Sequence, residues 1–367
     1  MNLVTPFYAK HLEYKGRMAD CLGWQLPLVY TSPEEEYRMV RERAGFTDYS
    51  MVTPLAVVGK DAFDFLQKVL VNDLRKISPG RMIYSSILDE KGSFLADGTT
   101  FWVEDEYFIL NYLDEGVGVK KEELIEWLKK NATGLEVYIV DTGLCWLAFQ
   151  GPKSRDILQK VVNVADLPFF GLKQDKIGDI PVLITRAGYT GEIGYEFYIH
   201  WSYAHELWDF LMEVGREYNV GPYGWTAMEM HAMEKGYLWG DEYQDTPLEW
   251  GLGWTVAFDK GDFISKEALL KRKSEGLKHK LVGFEASDPK IVAVTGDKLF
   301  KGNSIVGEVT NAAYSIILGK SLVRARVNIE YTSAGEKLDL EQNGRRTNVI
   351  VAKSYRWYDP ENKIVKG

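Results

Sequence analysis

Two carboxylates stand out by the company they keep. Asp97 lies in Ser-Phe-Leu-Ala-Asp-Gly-Thr-Thr-Phe-Trp-Val. On the two-residue period of a strand it shares a face with Leu95, Thr99, Phe101 and Val103. A carboxylate among such side chains is costly to bury unless something pairs with it. The plainer reading is a hairpin residue that bonds its own turn. Gly98 beside it permits a bulge or a close backbone approach. Glu196 lies in Gly-Tyr-Glu-Phe-Tyr-Ile. There Tyr195, Phe197 and Ile199 take one face, and Glu196 shares the other with Gly194 and Tyr198, facing solvent or a cleft. The neighbouring Gly188-Tyr189-Thr190-Gly191, where the backbone must turn sharply, favours a cleft.

Other chemistries lack residues to perform them. The five histidines, His11, His200, His205, His231 and His279, include no i, i+4 pair, and there is no Cys-x-x-Cys, so no metal centre is expected. No Gly-x-Ser-x-Gly elbow, Walker-type loop or Gly-x-Gly-x-x-Gly occurs. The 11 Trp and 21 Tyr suit a flat ligand, although aromatic cores account for them equally well. With 44 basic against 53 acidic residues the net charge is −9, which argues against nucleic acid or an anionic membrane as partner. No apolar run reaches the roughly 20 residues of a membrane span, and Met1 to Lys15 carries no signal-peptide core. Cys21 and Cys145, the two cysteines, sit in apolar sequence and read as buried thiols of a cytoplasmic protein.

The elements that must position these residues form a mixed α/β chain. At about 150 residues per domain, 367 residues make two or three domains. Ser32-Pro33 opens a helix over 34–43. A second covers 61–69, and a third 121–130 with Glu126 and Lys130 as a supporting pair. Residues 84–88 and 94–103 read as strands joined by Asp-Glu-Lys-Gly. Residues 182–186 and 195–199 read as strands around the glycine-rich turn. Leu207, Phe210, Leu211 and Val214 set a helix over 204–218. Residues 261–280 bridge to short strands between Gly and Asn turns, a small antiparallel barrel. The expected division is 1–260, in two subdomains with the second near 53–140, and a barrel over 275–367.

The run Gly188-Tyr-Thr-Gly-Glu-Ile-Gly-Tyr-Glu196 resembles the signature of the folate-binding family typified by the glycine cleavage T protein (aminomethyltransferase). The likeness continues in order through His11 to Pro27, Arg43-Ala-Gly-Phe-Thr-Asp-Tyr-Ser50, Gln150-Gly-Pro-Lys153, Thr246-Pro-Leu-Glu-Trp-Gly-Leu-Gly-Trp254 and Val306-Gly-Glu-Val-Thr310. It implies an α+β fold: a folate-binding N-terminal region around a central cavity that holds tetrahydrofolate, plus a C-terminal antiparallel β-barrel. It further implies that Asp97 is the functional aspartate, that Glu196 binds the pterin, and that Tyr84 and Tyr189 line the folate site.

The departures are as informative. The chain reads Ala227-Met-Glu-Met-His-Ala-Met-Glu234, with Met228 and Ala232 where the family has arginines directed at the folate tail. Met228 and His231 are therefore expected on the substrate side, as a softer wall for a methylated donor, unless the methionines are helix core. Three readings follow. The favoured one is a tetrahydrofolate-dependent demethylase taking methyl from a small methylated donor. The alternative is the aminomethyltransferase of glycine cleavage, which needs a lipoylated carrier protein. The last is a folate-binding accessory protein without a transfer reaction.

Overall fold

A computed structural model describes residues 3–52, 54–113, 118–286, 291 and 293–367. Its centre is a pair of sheets facing each other. The first has six strands in the spatial order Leu172–Ile177, Ile180–Thr185, Gly194–His200, Leu144–Gln150, Gly45–Asp48 and Gly221–Pro222. On its strand Gly194–His200, Tyr195, Phe197 and Ile199 enter a core with Phe46, Leu147 and Phe149, beneath Leu207, Trp208 and Leu211 of the helix Ala204–Val214. The opposite face carries Glu196 and Tyr198, as the two-residue period demands. The helix expected over 204–218 ends earlier, because Gly215 closes it and a 3₁₀ turn, Arg216–Tyr218, follows.

The second sheet is antiparallel, ordered Arg81–Leu88, Phe94–Glu104, Tyr107–Leu113, Leu55–Val58 and Tyr138–Asp141. The helices Ala62–Val69 and Lys121–Asn131 cover one of its faces through Phe65, Leu66, Leu124 and Leu128. The expected Glu126–Lys130 ion pair does not form, in keeping with the small gain such exposed pairs offer. Register aligns Tyr84 with Thr99 and Thr99 with Asn111, so the three form a row on the face turned toward the first sheet. Met82, Phe101 and Ile109 pack from that face against Leu183, Ala187 and Tyr198 of the first sheet.

Beyond the sheets, six antiparallel strands between His279 and Val351 close into a barrel around Phe284, Leu299, Val309, Ala325 and Leu340. Closure leaves no unpaired edge. The helix Trp225–Lys235 joins barrel and sheets, and packs on the helix Pro33–Glu42, whose N-cap is Ser32. Cys145 is buried, whereas Cys21 is only half-buried, contrary to its apolar sequence context. No described helix is long and apolar enough to cross a membrane.

One buried cation ties these parts together. Arg41 donates to Glu192 at 2.9 Å, to Glu234 at 2.6 Å and to the Thr190 carbonyl at 2.9 Å. Hydroxyls complete the acids: Tyr37 and Ser315 donate to Glu234, and Tyr358 to Glu192. The Tyr358 ring also lies 3.9 Å from the Arg41 guanidinium carbon. Replacing Arg41 by Met would leave two buried carboxylates without their cation, a loss of about 3–5 kcal/mol. A urea titration should show the midpoint fall accordingly, with Arg41→Lys intermediate; an unchanged Met variant would deny the network this role.

Candidate functional site

A cavity of about 350 Å³ opens between the two sheets, and Tyr84, Asp97, Tyr189 and Glu196 all line it. Asp97 is 2 % exposed and held by hydroxyls alone. Ser86 donates to Oδ1 at 2.6 Å, while Tyr84 and Tyr243 donate to Oδ2, Tyr243 at 3.2 Å. No cation pairs with it among the described residues. Burial raises its pKa to about 6, against the opposing pull of the three hydroxyls. An acid so placed is ionised at neutral pH yet basic enough to take a proton.

Glu196 faces it across the gap. Oε2 accepts from Thr185 at 2.8 Å and from Tyr198 at 3.1 Å, while Oε1 has no hydrogen bond among the described residues. Burial lifts this carboxyl to about 7. Asn111 donates its Nδ2 to the Tyr198 hydroxyl at 2.8 Å, which leaves its buried Oδ1 without a partner. Two unpaired acceptors thus stand on either side of one tyrosine. Buried acceptors are normally satisfied, so the open Asn111 Oδ1, with Glu196 Oε1 beside the same tyrosine, fits a ligand with adjacent N–H donors.

The walls are aromatic. Tyr84 stacks on Trp254 with centroids 5.9 Å apart, and Tyr189 on Tyr237 at 5.0 Å. Tyr189 commits its hydroxyl to the Leu238 carbonyl and so offers the cavity its ring. Phe169 and Phe170 close another side, Phe170 at a φ of 59°, a strained angle for a bulky residue. Two close approaches shape the glycine-rich turn. A Cβ on Gly188 or Gly194 would collide with the Gln150 carboxamide at 1.8 and 2.3 Å, the same group that bonds Ala187 and Thr190.

Met228 and His231 lie elsewhere, which corrects their expected place on the substrate side. Met228 is fully buried among Tyr49, Tyr223 and Trp225. His231 stacks on Tyr37 at 4.6 Å with both ring nitrogens unpartnered. Its pKa is pushed well below the ordinary value, by burial first and by Arg41 second. The helix Trp225–Lys235 reaches the cavity only through its last residue. The alternative reading of the methionines as helix core is the one that Met228 and Met233 follow, both being buried.

Sequence reasoning passed over Ser86, Asn111, Tyr243 and Trp254. Asn111 carried a usable signal, a single amide inside Tyr-Phe-Ile-Leu-Asn-Tyr-Leu. Tyr243 carried none, since it reaches Asp97 from 146 residues away.

The raised carboxyl pKa has a consequence for stability. Between about pH 4 and pH 6 the folded chain keeps the Asp97 proton that the unfolded chain has lost, so this group's contribution falls as pH rises. Asp97→Asn should therefore stabilise the ligand-free protein at pH 8 relative to pH 4 by on the order of 2 kcal/mol. Thermal melts of both proteins at the two pH values measure this difference; equal shifts at both would mean Asp97 titrates normally.

The family model described as the GCVT N-terminal domain matches residues 7–260, and that of the glycine cleavage T-protein C-terminal barrel domain matches 279–359. The aminomethyltransferase of Thermoanaerobacter pseudethanolicus (strain ATCC 33223 / 39E) is 36% identical over 360 residues, 96% of each chain. That of Clostridium botulinum (strain Kyoto / Type A2) is 34% identical over 370 residues, 98% of each. In fold, the chain is similar to the crystal structure of glycine cleavage system aminomethyltransferase T from Bartonella henselae, with a TM-score of 0.90, 24% identity, and coverage of 98% of this chain and 99% of that one. On sequence profile and full-length identity together, the chain belongs to the glycine cleavage T-protein family.

Proposed function

We propose that this chain is a tetrahydrofolate-dependent aminomethyltransferase of the glycine cleavage type, with a lipoylated protein as carrier of the one-carbon group. The observation that carries the reading is the pairing, in one aromatic cavity, of an uncompensated acid with a second acid that leaves an acceptor open. Its relatives are named for aminomethyl transfer. The methyl-donor reading rested on the loss of the family arginines at Met228 and Ala232, with Met228 and His231 as a donor wall, and neither Met228 nor His231 lines the cavity.

Glu196 Oε1 and Asn111 Oδ1 are the acceptors for the adjacent N–H and amino groups of a pterin, a charge-assisted contact on the glutamate side. Tyr189, Tyr237 and Trp254 offer ring faces to its flat body. The folate supplies two nucleophilic amines; bonding both to the incoming carbon, with loss of their two protons, releases ammonia and the carrier thiol. Asp97 takes a proton from an attacking amine and returns it to a leaving group. Tyr84, Ser86 and Tyr243 hold its carboxylate in place throughout, without neutralising it as a cation would.

Glu196→Ala should lower tetrahydrofolate affinity by about 2–3 kcal/mol. Calorimetry on the folded variant measures it, and unchanged affinity would move the pterin elsewhere. Asp97→Asn keeps the shape and loses the base; kcat should fall about 10²-fold while folate affinity stays within a few-fold. The reaction itself is tested with tetrahydrofolate in parallel tubes. One holds lipoylated carrier charged with glycine-derived aminomethyl, the others methyl ethers, thioethers and methylamines. Methylenetetrahydrofolate and ammonia should appear with the carrier alone. Methyltetrahydrofolate from a free donor would overturn the assignment in favour of demethylation.

A further inference from the structure

Cations in the cavity wall are confined to one side. Among the described lining residues only Lys235 and Arg356 are positively charged. Lys235 is already neutralised: its Nζ donates to the Asp359 carboxylate at 2.9 Å and to the Asp359 carbonyl at 2.7 Å, with both side chains buried. The Arg356 guanidinium has no hydrogen bond or ion pair among the described residues, and the side chain is only half-buried.

The position of Arg356 is fixed by its stem. Gly236 ends the helix Trp225–Lys235 at a φ of 82°, and a Cβ there would meet the Arg356 Cγ at 2.7 Å. The stem therefore lies flat on the glycine and carries the guanidinium close to Tyr237, whose pKa its charge draws down against the larger effect of burial. The segment is anchored on the same helix end, because the Trp357 and Tyr358 amides both donate to the Glu234 carbonyl, at 2.9 and 2.8 Å.

The cavity is thus polarised, with two acids on the sheets and one uncommitted cation supplied by the segment after the barrel. A folate has the complementary polarity: N–H donors on the pterin and glutamyl carboxylates at the far end of the tail. The helix Trp225–Lys235 contributes no arginine of its own. We infer that Arg356 is the specificity-determining residue for the folate tail, its planar fork receiving a glutamyl carboxylate through two parallel hydrogen bonds. This rests on the folate reading of the cavity.

The experiment titrates wild type, Arg356→Ala and Arg356→Lys with tetrahydrofolate and with 6-methyltetrahydropterin, which has the ring and no tail. Arg356→Ala should weaken tetrahydrofolate about 30-fold and leave the tail-free pterin within about threefold, with Arg356→Lys between the two. In wild type, added salt should weaken tetrahydrofolate more than the tail-free ring. Equal loss of both ligands would make Arg356 a structural residue, and loss of neither would place the tail elsewhere; each overturns the inference. Should the alanine variant not fold, the lysine variant and the wild-type salt response carry the same decision. Wild type that binds neither ligand would instead sink the folate reading, a result distinct from either failure at Arg356.

Discussion

One guanidinium fixes how five separated parts of the chain meet beside the cavity. Arg41 comes from the helix Pro33–Glu42, Glu192 from the glycine-rich turn, Glu234 from the end of the helix Trp225–Lys235, Ser315 from the barrel and Tyr358 from the segment after it. A buried ion pair is weak evidence for net stability, because desolvation offsets much of the attraction. Its stronger effect is on arrangement. Two buried carboxylates and one cation, with the hydroxyls that bond them, bring five separated stretches of chain to one point. Lys235 and Gly236, next in sequence to Glu234, then have no freedom in where they meet the cavity.

Against that rigid frame the site itself is electrostatically unbalanced. Asp97 and Glu196 are buried without compensating cations among the described residues, and both carboxyls are lifted by burial, to about 6 and about 7. Hydroxyl donors keep them oriented but do not cancel the cost of the charge. Such a site costs the empty protein stability and benefits a ligand that brings N–H groups, the usual signature of a place selected for binding or chemistry over packing. The strained Phe170 on the cavity wall belongs to the same pattern.

Much of this arrangement was legible in the sequence where local periodicity decides the outcome. The alternation around Glu196 put Tyr195, Phe197 and Ile199 in the core and the acid on the other face, and the packing follows it. Asp97 could be singled out for the same reason, but its partners could not all be. Ser86 lies across the hairpin from it, within reach of register arguments, whereas Tyr243 arrives from a distant loop. Met228 and His231 show the converse error. Their departure from the family pattern suggested a functional surface, yet a helix buried on nearly every side turns such residues into packing, and their depth depends on neighbours that the local sequence does not name. Arg356 escaped notice because nothing near it in sequence marks a site; only the fold brings it to Gly236.

The cavity wall draws on residues from Val52 to Asn362, and this spread has a consequence for how the protein is made. Asp97 and Glu196 emerge before the Tyr355–Arg356 wall, which follows Glu196 by about 160 residues, at translation speeds of roughly 5–20 residues per second. During that interval the facing sheets can form while one side of the cavity is still missing. Two buried acids and a cluster of aromatic rings are then open to solvent and to other nascent chains. For this fold the exposed period of biogenesis therefore comes after the sheets have formed, and holding factors on the emerging chain would matter most between Pro222, the end of the first sheet, and the segment beyond the barrel.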